Sequence, residues 1–257
     1  MSNVQSIERA FTILKVLSNN PDGLRITVLA ENSSLTKSTT HRITSTLVNL
    51  GYVQQDPETE KYMLGNQLIK LTSVMLNNMD VIKVAEPYLV NLSRDVNETV
   101  HLCVENNGEV LYVDKKEKNQ NIRMYSTIGS RAPLYCTAVG KVLLSGMNPI
   151  YFEEVINNMT FELRTALTIT SQEKLRKEIE KVKVQGYALD NVENEEGIRC
   201  IASPIYDYKG NIIASFSISG PTNRVSLDRV NTELVKKVNM TSKLISEQFG
   251  YIKKESI

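Results

Sequence analysis

Tryptophan is absent from this 257-residue chain, cysteine occurs three times and histidine twice. Three thiols (Cys103, Cys136, Cys200) do not make a disulfide scaffold, and with two imidazoles in no ligand-like spacing they argue against structural zinc. Long apolar runs are missing as well: none approaches the ~18 residues that span a bilayer. The opening stretch from Val4 to Leu17 is interrupted by Glu8, Arg9 and Lys15, so it reads as an amphipathic helix and not as a signal peptide. These absences point to the reducing cytoplasm, with no membrane contact, no metal and no other cofactor. An excess of either charge is lacking too. The net charge is +1, which excludes binding to polyanions through bulk charge and confines any nucleic-acid site to a local surface. What is present is ordinary globular material, 41% hydrophobic and 23% charged, long enough for one large domain or two ordinary ones.

The pattern along the chain divides it in two. In residues 1–65, Ile7, Ala10, Phe11, Leu14 and Leu17 share one face of a first helix, which Asn19-Asn20-Pro21-Asp22-Gly23 ends. A short second helix spans about Ile26 to Asn32. After Ser33-Ser34-Leu35 a third runs from about Lys37 to Leu50, with Thr36 as N-cap and Gly51 as its stop. Tyr52–Gln55 and Lys61–Leu64 then form two short strands around Asp56-Pro57-Glu58-Thr59-Glu60. Three helices and a hairpin make a winged helix-turn-helix. Residues 66–80 keep a helical period through Leu68, Leu71 and Leu76 and read as a linker helix. Pro87 predicts a kink or a helix start near Glu86.

Residues 81–257 read as an α+β domain with a largely antiparallel sheet. Thr99–Val104 and Val110–Asp114 flank an Asn-Gly hairpin turn, and Arg123–Thr127 looks like a further strand. Ala138–Leu144 and Tyr151–Ile156 are helical in pattern. Thr170-Ser171-Gln172-Glu173 reads as a capping box opening a helix that runs to Gly186. Cys200–Tyr206 and Ile212–Ser219 form a second hairpin. A long helix from about Leu227 to Phe249 closes the chain, with Leu227, Val230, Leu234 and Val238 inward.

Over residues 1–64 six basic side chains meet six carboxylates, so the domain total gives no electrostatic footprint. The distribution does: from Asn32 to Gln55 there is no Asp or Glu. On a helical wheel Thr39, Ile43, Leu47 and Leu50 share the inward side of the third helix, and Lys37, Ser38, His41, Arg42, Ser45 and Asn49 the outward side. Long cations reach phosphates or guanine edges, while short hydroxyls contact phosphate without holding the helix off the groove. A merely solvated face usually mixes Glu with Lys. This one is stripped of acids.

The sequence resembles the IclR family of bacterial transcriptional regulators. Val4 through Leu14 looks like the family's opening helix, Leu35-Thr36-Lys37-Ser38-Thr39-Thr40-His41-Arg42-Ile43 its recognition helix, and Leu50-Gly51-Tyr52-Val53 through Tyr62-Met63-Leu64-Gly65 its wing. The match continues in Gly129-Ser130-Arg131-Ala132-Pro133-Leu134, Thr137-Ala138-Val139-Gly140-Lys141, Gly197-Ile198-Arg199-Cys200-Ile201-Ala202 and Ser217-Ile218-Ser219-Gly220-Pro221. Departures are Ser34 and Thr36, where the family often has Gly and Pro around the turn leucine, and Glu60, where a wing glycine is common. A Ser at positive φ costs roughly 1 kcal/mol, which is tolerable. The resemblance implies duplex DNA as partner, read by Lys37, Ser38, Thr39, Thr40, His41, Arg42, Ser45 and Asn49. It also implies a GAF-like domain that binds a small organic acid effector through Ala138, Val139, Gly140, Asp190, Cys200, Ser217 and Ser219.

The residues themselves support part of that site. Ser215, Ser217 and Ser219 alternate and so share one side of their strand, and the start of the helix at Ala138–Gly140 offers N–H groups to an anion. The competing reading is that the serines are the wet face of a sheet. Cys200 reads as a pocket wall and weak donor, not a nucleophile. Asp190 either orients a ligand hydroxyl or caps a turn, and His101, between apolar neighbours, reads as structural. Gly140-Lys141 is not a phosphate loop, because Tyr135 stands where the upstream glycine belongs.

Ile13 and Val16 lie outside the first helix's main stripe, so that helix either has a wide core stripe or self-associates. Self-association would set two recognition helices on a palindromic operator, and the resemblance implies a homodimer or homotetramer acting as a ligand-responsive regulator, with the 66–80 helix as lever. Two rival classes are weighed. A Cys200–His101–Asp190 set would make an enzyme, but leaves the acid-free helix unexplained. A metabolite-binding module using its helical domain for protein contacts would protect no operator.

Overall fold

The computed structural model describes residues 4–77, 80–117 and 126–252. The chain divides into two compact units, Met1–Met79 and Asp80–Ile257.

The first unit contains α1 (Gln5–Ser18), α2 (Ile26–Asn32), α3 (Lys37–Asn49), a hairpin of β1 (Val53–Gln55) and β2 (Tyr62–Leu64), and α4 (Gln67–Asn77). Its core is Ile13, Leu17, Leu29, Leu47, Val53 and Tyr62. Thr36 caps α3 as expected, its hydroxyl accepting from Thr39 N–H. Gly51, at φ +75°, ends it: Gly51 N–H returns to Val48 and Tyr52 N–H to Leu47, which satisfies two of the last carbonyls. Ser34 and Glu60 both take positive φ, +55° and +57°, so two of the three departures from the pattern carry a mild backbone cost.

Two helix faces differ from expectation. On α1 Ile13 is fully buried while Ile7 and Phe11 are 55% and 67% exposed; the core stripe runs through Ala10, Ile13, Leu14 and Leu17 and leaves Val4, Ile7 and Phe11 outward. On α3 the buried residues are Thr40, Thr44 and Leu47, and Leu50 is exposed. The buried stripe thus begins at Thr40 and not Thr39, a turn of one residue or ~100°. A hydroxyl hides its polarity well enough to mislead the wheel, because Thr40 Oγ1 donates to Thr36 carbonyl at 3.0 Å.

The second unit begins with α5 (Val81–Val96), capped by Asp80. It runs unbroken through Pro87; both Pro87 and Lys83, whose carbonyl loses its donor, lie on the exposed side. A six-stranded antiparallel sheet follows: β3 (Thr99–Asn106), β4 (Glu109–Lys116), β5 (Arg131–Ala132), β6 (Ala188–Asn191), β7 (Ile198–Tyr206) and β8 (Ile212–Pro221), in the order β5-β4-β3-β8-β7-β6. The Asn107-Gly108 turn takes positive φ at both residues, as its hairpin requires. Most of the expected Arg123–Thr127 strand lies outside the described residues; Ser126 and Thr127 are irregular.

Three helices follow β5: α6 (Ala138–Ser145), α7 (Pro149–Asn158) and α8 (Gln172–Gln185). The cap of α8 is Ser171 and not Thr170, so Glu173 falls one position short of a capping box and pairs with Lys177 instead. The closing helix has three parts, α9 (Leu227–Arg229), a π turn over Val230–Leu234 and α10 (Val235–Gln248). Val230, Leu234 and Val238 face inward as expected, but Leu227 is 47% exposed. Among the described residues no helix is long and apolar enough to cross a membrane.

Candidate nucleic-acid interface and ligand cavity

The solvent side of α3 presents Lys37, Ser38, His41, Arg42 and Asn49, with Thr39 and Ser45 half-buried beside them. Lys37 and Arg42 have no carboxylate within ion-pair distance among the described residues. Thr40, expected in this set, is excluded by its burial. The wing is different in sign. Asp56 Oδ1 gathers the N–H groups of Glu58 and Thr59 and the Thr59 hydroxyl at 2.7–3.0 Å, which holds its carboxyl below the ordinary range and fixes the turn. Glu58 and Glu60 flank it, so the cationic surface of this unit is α3 itself and not the wing tip.

In the second unit the register aligns chemistry across the sheet. Asp190 on β6 faces Cys200 on β7, Cys200 faces Ser219 on β8, and Ser219 faces Thr99 on β3. Directly opposite residues project to one face, and His101, two residues beyond Thr99, joins it opposite Ser217. Helix α6 packs over β7 and β8, so the serine row is not a wet face: Ser215, Ser217 and Ser219 are all buried. Ser215 is spent on the Ser203 carbonyl, whereas the Ser217 and Ser219 hydroxyls lie 3.2 Å apart.

These elements enclose a cavity of about 270 Å³ whose wall includes Ala138, Val139, Asp190, Cys200, Ser217 and Ser219. Gly140, expected with them, is not on the wall. A Cβ there would stand 2.4 Å from the Leu134 carbonyl oxygen, and its N–H is taken by Thr137 Oγ1 at 3.1 Å. Its glycine serves close packing and not ligand contact. The first-turn N–H groups of Ala138 and Val139 have no acceptor within their helix. A larger concavity of about 670 Å³, lined by Tyr151, Glu154 and Glu162 among others, contains none of the expected residues.

Sequence reasoning did not place several residues on this wall. His101 lines the cavity, with Nδ1 3.3 Å from Ser219 Oγ and Nε2 2.7 Å from Ser126 Oγ. Burial and the nearby Lys115 charge bring its pKa down to about 3, so the imidazole is neutral. Tyr112, Thr137 and Arg164 also contribute. No residue-level signal placed them there: His101 and Tyr112 come from β3 and β4, and Thr137 and Arg164 from segments whose approach to the sheet no local pattern reveals.

Asp190 Oδ1 accepts from Glu193 and Asn194 N–H, yet burial lifts its carboxyl to about 7. Burial also pushes the Cys200 thiol above its ordinary range, and the neighbouring Asp190 charge adds to that. Cys200, His101 and Asp190 therefore share a cavity without forming a nucleophilic set: both imidazole nitrogens are engaged by serines and the thiol stays protonated. Among the described residues no group of three or more His, Cys, Asp or Glu could hold a metal ion.

Comparison with known proteins agrees with this geometry. Residues 6–57 match the IclR helix-turn-helix domain, and residues 73–247 match the bacterial transcriptional regulator IclR C-terminal domain. The HTH-type transcriptional regulator KdgR of Escherichia coli K12 is 40% identical over 249 residues, spanning 97% of this chain and 94% of that protein. The HTH-type transcriptional repressor AllR of Salmonella typhi is 32% identical over 248 residues, spanning 96% of this chain and 90% of that protein. The crystal structure of Pseudomonas aeruginosa HmgR shares the fold with a TM-score of 0.85 at 24% identity, over 98% of this chain and all of that one. A winged helix-turn-helix with an acid-free third helix, followed by an α+β domain that closes a polar cavity, thus places the chain in the IclR family of bacterial transcriptional regulators, which are DNA-binding proteins and not enzymes.

Proposed function

We propose that this regulator is a cytoplasmic repressor whose operator affinity changes when a small organic acid occupies the 270 Å³ cavity. The observation that carries this reading is the convergence of Asp190, Cys200, Ser217 and Ser219, from three strands, on the open first turn of α6. The N–H groups of Ala138 and Val139 face the effector's anionic end, and the serines, Asp190 and the neutral His101 face its hydroxyl or keto groups. Lys37, Ser38, Thr39, His41, Arg42, Ser45 and Asn49 contact the duplex. Residues 1–65 are the DNA-binding domain, 66–80 the linker that conveys the change, and 81–257 the effector domain. A relative named as a repressor supports the sign of regulation.

The chain acts as a homodimer or homotetramer on a palindromic operator. Support comes from Val4, the N-cap of α1, and Ile7 and Phe11 on its first turns, exposed apolar side chains at three- and four-residue spacing. A coupling of roughly 1–3 kcal/mol changes operator affinity several- to a hundred-fold. The test is a thermal-shift screen with small carboxylates, keto acids, sugar acids and aromatic acids, followed by operator anisotropy with each hit. A compound that raises the melting temperature and weakens operator binding is expected; stabilisation with no change in operator affinity refutes the regulatory link.

A further inference from the structure

Two arginines stand on the wall of the cavity, and they differ in what they already hold. Arg131 donates through Nη1 to the Asn106 carbonyl and Glu109, at 2.9 and 3.1 Å, and through Nη2 to Asn106 Oδ1. Its guanidinium is committed to the β3–β4 hairpin. Arg164 spends only Nε, on the Asn194 carbonyl at 3.1 Å, and has no carboxylate within ion-pair distance among the described residues.

The other cations nearby are occupied. Lys141 is paired with Glu193, Lys115 lies 2.6 Å from Glu117 and donates to the Ser126 carbonyl, and His101 is neutral. The wall also holds the carboxyls of Asp190 and Glu195. An anion entering this cavity therefore meets the Glu195 carboxylate beside an Asp190 whose carboxyl is raised toward neutrality, and the backbone N–H groups of α6 supply dipoles without a full countercharge. Arg164 can supply it.

Its backbone is fixed for the purpose. Residues 159–170 form no regular element, yet the Arg164 and Thr165 N–H groups both donate to Thr168 Oγ1, at 3.1 and 2.9 Å. Thr165 and Thr168 are buried, and their hydroxyls donate to the carbonyls of Val192 and Glu193 at 2.6 and 2.7 Å. The strap is thus tied to the same turn that carries Asp190. The arginine side chain lines the cavity from a fixed backbone, which limits the entropy lost when its two Nη groups engage a carboxylate.

We propose that Arg164 reads the carboxylate of the effector and makes the cavity selective for acids over their neutral amides. The proposal rests on the effector reading of the cavity. Its test uses the full chain with acetate, pyruvate and gluconate, each beside its primary amide, in thermal-shift and calorimetric titrations of wild type, Arg164→Lys and Arg164→Gln. At least one acid is expected to stabilise the wild type while its amide does not. Arg164→Gln should weaken that acid about tenfold or more and abolish the preference over the amide, with Arg164→Lys between the two. Unchanged acid affinity in Arg164→Gln overturns the assignment to Arg164 and leaves the cavity reading standing. An amide bound as tightly as its acid by the wild type overturns the selectivity. A wild type stabilised by none of the three acids overturns both readings together.

Discussion

Lys141 Nζ lies 2.6 Å from Glu193 Oε1 in the interior of the second unit, with no part of the Lys141 side chain exposed. Asn191 N–H adds a second partner to the same carboxylate oxygen at 3.2 Å, while among the described residues Oε2 has none. Removing one member of such a pair strands the other. Lys141→Met should lower stability by about 3–5 kcal/mol, and Lys141→Met with Glu193→Leu should recover much of the loss. Urea unfolding of both variants measures it; an unaffected single variant would show that the charges are not held as described.

Asp190 and His101 make opposite demands on pH. Asp190 titrates near 7 when folded against 3.8 when free, so its stability contribution is complete below pH 3.8 and disappears as pH rises through 7. His101 titrates near 3 against 6.5, so its contribution is present above pH 6.5 and is lost as pH falls toward 3. The two offset each other in the overlap. Glu193 and Lys141 act on Asp190, and Lys115 on His101. Asp190→Asn should unmask a steep acid loss, and His101→Asn a gain toward acid, each on the order of a few kcal/mol. Denaturation between pH 4 and 8 decides it; parallel profiles for the two variants would refute the assignment.

Arg42 and Thr40 are two residues apart on α3 and lie on opposite faces, Arg42 exposed and Thr40 buried. Arg42→Ala should weaken operator binding by about tenfold or more and flatten its salt dependence. Thr40→Val, which keeps the buried shape, should leave operator affinity unchanged and alter stability by about 1 kcal/mol. Anisotropy titrations at two salt concentrations separate the variants. Equal effects on affinity would mean that α3 meets DNA by another face.

Phe11 tests the proposed self-association. Phe11→Glu sets a charge among Val4 and Ile7 without touching the core of its own unit. Sedimentation should show a smaller assembly or a weaker one, and operator affinity should fall because two half-sites are no longer held together. An intact assembly with full operator affinity would move the contact elsewhere.

The sequence made α3 legible because an acid-free stretch is a one-dimensional fact, and the strand alternation around Ser217 because its period is two. It failed where a polar group hides itself. Thr40 is buried on its own helix's carbonyl, and the Lys141–Glu193 pair joins residues 52 positions apart, which no local pattern reveals. The outward turn of Phe11 was likewise illegible, since either stripe on α1 is apolar enough to be a core. The sequence reads His101 as structural; it is buried, yet it also stands on the cavity wall, where Ser126 meets it from another segment.

Gly140 has a consequence for how such a regulator diverges. Because no side chain fits at Gly140 against Leu134, close packing there and the Thr137 cap set where α6 begins, and neither depends on the side chains of Ala138 or Val139. The selective half of the wall hangs instead on exchangeable side chains at Arg164, Ser217 and Ser219. On the proposed effector reading, single replacements on the strands and the strap retune which acid is held, while the backbone at the start of α6 stays where it is.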